Sequence, residues 1–600
     1  MKLRHLALAA ALAVGVAAPT LRAQLNLCAD CRTARIWSTT VGAFPETGAL
    51  TIRRPGAIDF GVAFSGGGTR SASATTGQLR GLAQNGWLEK ARYITAVSGG
   101  AWAAIPYTYT EATDEELLGP LTPPDALRLE PLTKCPDGRM AASIGAGQLP
   151  AASFKEAAWR VSSEALQKDS ERFIRQGLSW LLSRREGDRG EKTYARFIGD
   201  VFIDPIVDPV DKQASRRLFG WDDTSVDEAV RDNPGKLSHI DFLTSDARRR
   251  PFLIVGGTVV STRDIYSYPL LMPIEYTQLY TGIRHRFGEK YGGTYVSSWA
   301  YDHVPAGPVS GRSLQVHQGD SNRNFTIADV AASAGAAPQL AVLLGERYEA
   351  LPTWARSASG AAADFFPSYT PAAVHDDGGV FVSAPTPHGD GGFTDNFGLM
   401  PLLARGVKNI IVFANTPNEY DKNDDLASYF EAVSNPGPTG NKSLNRVFEP
   451  GGYDALKAQF RDDKLAGRPL VHCTTKDRPW KVLENAFYEI KPYDGLQICW
   501  VYNHAVDAWS RQISDARVRT LLAGKDFQSF PWYDTFKQLK LNIAHVNLLA
   551  DLTGWVVTDA EVIRRIRGAM PDLPEPRRPV PAATQFIAGR CVAPAAVQRR

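Results

Sequence analysis

Tyr93-Ile94-Thr95-Ala96-Val97-Ser98-Gly99-Gly100-Ala101-Trp102 runs from an apolar, β-branched stretch through a serine set among small residues into helix-compatible sequence. A strand–serine–helix turn of this kind presents the hydroxyl at the C-terminal end of a strand. It demands small residues two positions to either side, because bulk there would collide across the turn. Ala96 stands where glycine is usual in such turns, a departure that a single methyl group permits. The same grammar occurs upstream in Gly61-Val62-Ala63-Phe64-Ser65-Gly66-Gly67-Gly68-Thr69-Arg70. Four short apolar runs of this type, Ile58 to Phe64, Tyr93 to Val97, Phe252 to Val260 and Val407 to Phe413, alternate with helix-compatible sequence. That alternation predicts an α/β fold around a largely parallel central sheet flanked by helices, with a helical insertion at about 110–250 and a mixed, mostly helical C-terminal extension.

The 600 residues are 44% apolar, 10% aromatic and 22% charged, which excludes disordered, collagen-like and disulfide-scaffold chains. The first 23 residues read as a secretory signal peptide: basic Lys2 and Arg4, an apolar run from Leu6 to Ala18, and a cleavage site at Leu21-Arg22-Ala23. That run is too short to span a bilayer, which takes ~20 residues. The signal implies export to the periplasm, the outer membrane or the medium. Lys+Arg is 67 against 64 Asp+Glu, and three of the bases, Lys2, Arg4 and Arg22, belong to the leader. A mature chain without net charge offers no electrostatic case for nucleic acid, and peripheral membrane contact would have to be hydrophobic. Six cysteines in an exported chain permit up to three disulfides, whose connectivity the sequence leaves open. Cys28 and Cys31 form a C-x-x-C read as structural rather than redox or zinc-binding. After the leader we divide the chain into an irregular lead-in (24–56), an α/β core (57–420), a C-terminal part packed on it (421–570) and a loose Pro/Arg-rich tail (571–600). Ser153 with Glu156, and Thr558 with Glu561, carry helix-capping spacing, and Trp159, Phe173, Ile174, Leu178, Leu181 and Leu182 fall on one helical face, read as core packing.

Three segments carry chemistry. Gly66, Gly67 and Gly68 let backbone N–H groups converge on one point beside a helix N-terminus, the arrangement that holds an anion or an oxyanion. A dinucleotide loop fits the spacing poorly. Ser98 is the candidate nucleophile. In His388-Gly389-Asp390-Gly391-Gly392-Phe393-Thr394-Asp395-Asn396-Phe397-Gly398, Asp390 is a carboxylate fixed by two glycines and thus a candidate general base for a serine. A second Asp-Gly-Gly at Asp377-Gly378-Gly379 is followed by Val380-Phe381-Val382, and Asp390 is preferred to it.

Ser-Gly-Gly-Gly-Thr-Arg at 65–70, Val-Ser-Gly-Gly at 97–100 and Asp-Gly-Gly at 390–392, in that order, resemble the patatin-like and cytosolic phospholipase A superfamily of lipid acyl hydrolases. Ala332-Ser333-Ala334 with Pro338 resembles another of its segments, and Phe530 to Val557 is similar to a C-terminal piece of its larger phospholipase branch. The resemblance implies a Ser98–Asp390 dyad without histidine, an oxyanion hole from Gly66, Gly67 and Gly68 with help from Gly99, and Arg70 facing a substrate phosphate. It implies neither metal nor other cofactor. The implied substrates are membrane lipids, phospholipid or lysophospholipid. The alternatives are an esterase on neutral esters, a Ser-His-Asp hydrolase using His472, His504 or His545, and a non-catalytic lipid-binding envelope protein. The oligomeric state is not legible.

Overall fold

The computed structural model describes residues 30–39, 43–146, 193–261, 270–288, 291–318, 323–337, 367–370, 372–374, 380–382, 385–431, 444–534, 541–577, 585–587 and 590–592. The leader, Cys28, the 153–182 stripe, Pro338 and the second Asp-Gly-Gly lie outside the described residues.

One mixed sheet of fifteen strands organises the chain. Its strands are β1 (Arg32–Ser38), β2 (Phe60–Phe64), β3 (Tyr93–Val97), β4 (Phe252–Val260), β5 (Leu271–Thr277), β6 (Tyr280–Ile283), β7 (Thr294–Ser297), β8 (His303–Pro305) and β9 (Ser313–Gln318). They continue as β10 (Ser368–Tyr369), β11 (Thr386–Asp390), β12 (Asn409–Ala414), β13 (Leu470–Cys473), β14 (Trp480–Val482) and β15 (Tyr493–Tyr502). The spatial order is β8-β9-β1-β7-β6-β5-β4-β3-β2-β12-β15-β13, with β11 joined to β4 and β10, and β14 to β15.

The fold is α/β, but the sheet is not largely parallel. Among the described residues of this sheet, parallel pairing is confined to β4-β3-β2-β12-β15, where long, helix-bearing crossovers link the strands, and its other pairings are antiparallel. The cause lies in the connections. β5 and β6 are joined by only Gln278 and Leu279, a loop that reverses the chain directly, whereas parallel neighbours need a long crossover.

The parallel strands are covered on both faces and read as continuous apolar runs. Alternate residues still part company. Phe60, Val62 and Phe64 of β2 join one core with Ile94 and Ala96, while Ala63 joins the opposite core with Ile410, Val412 and Phe252. Ala96, the departure from glycine, is simply a buried core methyl.

The helices used below are α1 (Gly68–Gln84), α2 (Gly99–Tyr109), α3 (Ile327–Ala334), α4 (Gly392–Asp395), α5 (Met400–Ala404), α6 (Asp424–Ser428), α7 (Ile543–Thr558) and α8 (Ala560–Ala569). The C-terminal α7 lies tightly on α1, with glycines at the crossing. A Cβ on Gly77 would sit 2.0 Å from the Ala550 carbonyl oxygen, and one on Gly81 would sit 2.7 Å from Val557 Cβ. Asp559, not Thr558, caps α8, its side chain accepting from the Glu561 and Val562 N–H groups. The tail is not loose throughout: Leu573 is buried, and a disulfide ties Cys591 to Cys135. A second disulfide joins Cys473 to Cys499 across β13 and β15. Among the described residues no helix is long and apolar enough to cross a membrane.

Candidate active site

The register of β4 brings the site together. Its first half pairs with β3 as far as Val97 opposite Gly256, and there β3 ends in the turn carrying Ser98. Its second half pairs with β11, placing Asp390 opposite Gly257. Val97, which precedes the serine, and Asp390 therefore face neighbouring residues of one strand. Ser98 Oγ donates to Asp390 Oδ2 at 2.7 Å. That is within the reach a general base requires.

Ser98 is held at φ 51° and ψ −125°. A non-glycine residue there costs of order 1–3 kcal/mol, which the surrounding strand and helix must hold. Gly99 and Gly100 make the turn possible: a Cβ on Gly99 would lie 1.9 Å from the Gly68 carbonyl oxygen, and one on Gly100 2.7 Å from that of Ser65. This close approach brings the N-termini of α1 and α2 together beside Ser98. Gly68 and Gly99 are the first residues of those helices, where N–H groups lack intrahelical acceptors and the dipole is positive. An anion forming on a carbonyl attacked by Ser98 would meet both.

The expected oxyanion set needs one correction. The Gly66 N–H donates to the Asn396 carbonyl at 2.9 Å and is thereby committed. Gly67, at φ 140°, and Gly68, at φ 56°, form the bend into α1, and with Gly99 they remain the candidate donors.

Asp390 is buried, as is Ser98. Desolvation pushes the Asp390 carboxyl up to about 6, against the Gly392 N–H and the Ser98 hydroxyl, which pull it down, and with the Asp425 charge adding to the rise. Gly392 donates to Oδ1 at 2.8 Å, and Thr258 Oγ1 holds the Asp390 carbonyl at 2.8 Å. Asp395 in the same segment has a different task. It accepts from Leu399 and Met400 N–H groups, capping the start of α5, and from the Tyr429 hydroxyl.

Arg70 is buried, and its environment is not that of an open phosphate site. Nε donates to the Asn415 carbonyl at 3.0 Å and Nη1 to that of Tyr533, while burial lowers the guanidinium to about 10. Nη2 lies against the glycine loop, 2.5 Å from where a Gly67 Cβ would be. The arginine thus packs against that loop and ties it to the Asn415 and Tyr533 carbonyls.

The three histidines of the alternative triad are elsewhere. Burial lowers His472 on β13 and His504 to about 4, and His545 on α7 stacks on Phe527. The Ser98 hydroxyl goes to Asp390 and to none of them. His388, two residues before Asp390, donates from Nδ1 to the Thr386 carbonyl at 2.6 Å and accepts from the Tyr301 hydroxyl at 2.7 Å. Asn396 and Asp425 were not singled out from the sequence as functional. The only signal was the position of Asn396 inside the Asp390 segment.

Comparison with known proteins adds a resemblance in the solved structures alone. Human GIVD cytosolic phospholipase A2 is similar at 12% identity and a TM-score of 0.41, covering 87% of this chain and 63% of that one. Its complex with methyl gamma-linolenyl fluorophosphonate and terbium chloride is similar at 12% identity and a TM-score of 0.35, over 87% of this chain and 62% of that one. The chain thus spans a little under two thirds of the length of these structures. No family model matches the chain, and no curated protein matches it.

Proposed function

We propose that the chain is an exported lipid acyl hydrolase of the patatin-like and cytosolic phospholipase type, cleaving carboxylic esters of phospholipids or lysophospholipids through Ser98 and Asp390. The observation that carries this reading is the 2.7 Å contact between a serine at positive φ and a buried carboxylate, beside two converging helix N-termini. Asp390 takes the Ser98 proton as Oγ attacks the ester carbonyl. The oxyanion gathers on the N–H groups of Gly67, Gly68 and Gly99, each such donor contributing about 3–4 kcal/mol to the barrier reduction. Collapse expels the alcohol, which receives the proton from Asp390, and leaves an acyl-serine. Water then attacks, Asp390 takes its proton, and the fatty acid leaves as the proton returns to Ser98. The Cys135–Cys591 and Cys473–Cys499 disulfides support an oxidising compartment, in keeping with the leader.

The surroundings of Arg70 favour a second reading of the substrate within the same chemistry. An arginine committed to two backbone carbonyls supports turnover of neutral esters as well as phosphate-bearing ones. Incubating the purified protein with mixed phospholipids, lysophospholipids and glycerides, followed by lipid mass spectrometry, tests both readings. Release of fatty acid by the wild type and not by Ser98→Ala is the expected result. Unchanged lipids, or equal release by both proteins, would overturn the assignment.

A further inference from the structure

Asn396 touches both loops of the site. Its backbone carbonyl accepts the Gly66 N–H at 2.9 Å. Its side-chain oxygen lies in the space that a Cβ on either facing glycine would enter, 2.5 Å from the Gly66 position and 2.8 Å from the Gly392 position. The absence of side chains at 66 and 392 is thus explained by one amide wedged between the glycine loop and the base loop. Asn396 is held in turn from outside, its Nδ2 donating to Asp425 Oδ2 at 2.7 Å. Asp425 stands in the first turn of α6, whose own cap is Asn423.

We propose that Asn396 and Asp425 form a positioning unit for the reaction, fixing the glycine loop and the base loop at one spacing and keeping a negative charge behind Asp390. This rests on the reading of Ser98 as nucleophile and Asp390 as base. Neither residue touches the reacting atoms; they act through Gly66, Gly392 and Asp390. The groups around Asp390 on its other sides leave Asp425 as the outlying acid that acts on it. Ser98 and the N–H of Gly392 donate to its carboxylate, Thr258 of β4 holds its carbonyl, and Tyr194, from the neighbouring helix Thr193–Ile198, is kept neutral by burial. Arg70 lies beyond Gly67, with its guanidinium turned to backbone carbonyls. The Asp425 charge adds to the rise that burial produces in Asp390.

The test uses the full-length protein, a soluble p-nitrophenyl ester for kcat/KM against pH, and a fluorophosphonate probe for the rate of serine labelling. Asp425→Asn keeps an acceptor for Asn396 while removing the charge. It should move the midpoint of the acidic limb down by ~0.5 pH unit. Asn396→Ala should slow probe labelling by on the order of 10²-fold and lower kcat on the ester with KM little changed, because a small displacement of a reacting pair is costly. A midpoint unmoved in Asp425→Asn, with Asn396→Ala lowering thermal stability alone, would overturn the proposal. Absence of labelling at Ser98 in the wild type would instead overturn the dyad on which it rests, so the two failures are distinct.

Discussion

At neutral pH Asp390 is a carboxylate in surroundings that favour the acid form, because burial has raised it to about 6. Its activity and its contribution to stability therefore run in opposite directions. In its proposed role as base it works only when ionised, so kcat/KM should fall as pH drops through about 6, a limb that a pH–rate profile on a soluble ester would show. The reference carboxylate range near ~3.9 is where the sequence alone would put this limb. Burial moves it into the range of histidine, so the position of the limb does not identify the group. Replacement of His472, His504 and His545 by Gln does: each variant should keep both the rate and the limb. For stability the sign is the reverse. The folded protein holds the Asp390 proton more tightly than the unfolded chain, so the fold loses stability as pH rises from about 4 to about 6 and stays lower above it. Asp390→Asn should remove that loss, raising stability at pH 7 by ~1–3 kcal/mol while lowering kcat/KM by ~10⁴ or more. Urea titrations at pH 4 and pH 7 check the first, and a gain that does not grow with pH would refute it. Ser98→Ala should be equally inactive, and the double variant no worse, since residues acting as a unit are not additive. Arg70→Lys cannot serve two separately placed carbonyls as the guanidinium fork does, and should cost ~2 kcal/mol in stability with equal losses on neutral and phosphate esters. A loss selective for phosphate esters would restore Arg70 as a phosphate reader.

Between the elements, the site depends on close approach of backbones. Gly99→Ala would place a methyl 1.9 Å from the Gly68 carbonyl oxygen and force the two helix N-termini apart. A loss of ~10² or more in kcat/KM is expected, the cost of losing an oxyanion donor. Gly77→Ala would meet the Ala550 carbonyl at 2.0 Å, far from the chemistry. It should cost ~1–3 kcal/mol by denaturant titration, with kcat/KM per folded molecule unchanged. The strand–turn–helix segments at 61–70 and 93–102 were legible because their demands are local: small residues, an apolar strand, a helix start. The pairing of Asp390 with Gly257 was not, since it depends on β11 entering the sheet where β3 ends, and neither strand announces its partner. The commitment of the Gly66 N–H to Asn396 was equally hidden. A glycine-rich loop shows that donors can converge, and only the fold shows which are already spent.

Across the whole molecule, a five-strand parallel core carries Ser98, the antiparallel β11 sets Asp390 against it, and an antiparallel wing completes the sheet. Four of the five parallel strands were readable as apolar runs. The fifth parallel strand, β15, was not, because it lies in a stretch without a recognisable motif, and neither was the wing, because short strands such as Tyr280–Ile283 and Thr294–Ser297 are too brief for alternation to mark them. Proline and arginine in the tail likewise hid its anchorage: the Cys135–Cys591 disulfide spans 456 residues of sequence, so it constrains the unfolded chain strongly. Cys591→Ser should lower stability by about 2–5 kcal/mol, measured by denaturation without reductant, and reductant should then add only the cost of losing Cys473–Cys499. All of this architecture converges on one serine, and the most direct measurement is of that serine. The intact protein is incubated with a fluorophosphonate, digested, and its peptides mapped by mass spectrometry. The account predicts a single adduct, on Ser98, absent from Ser98→Ala and formed far more slowly in Asp390→Asn; a protein that stays unlabelled while folded, or that carries the adduct on another serine, would contradict it.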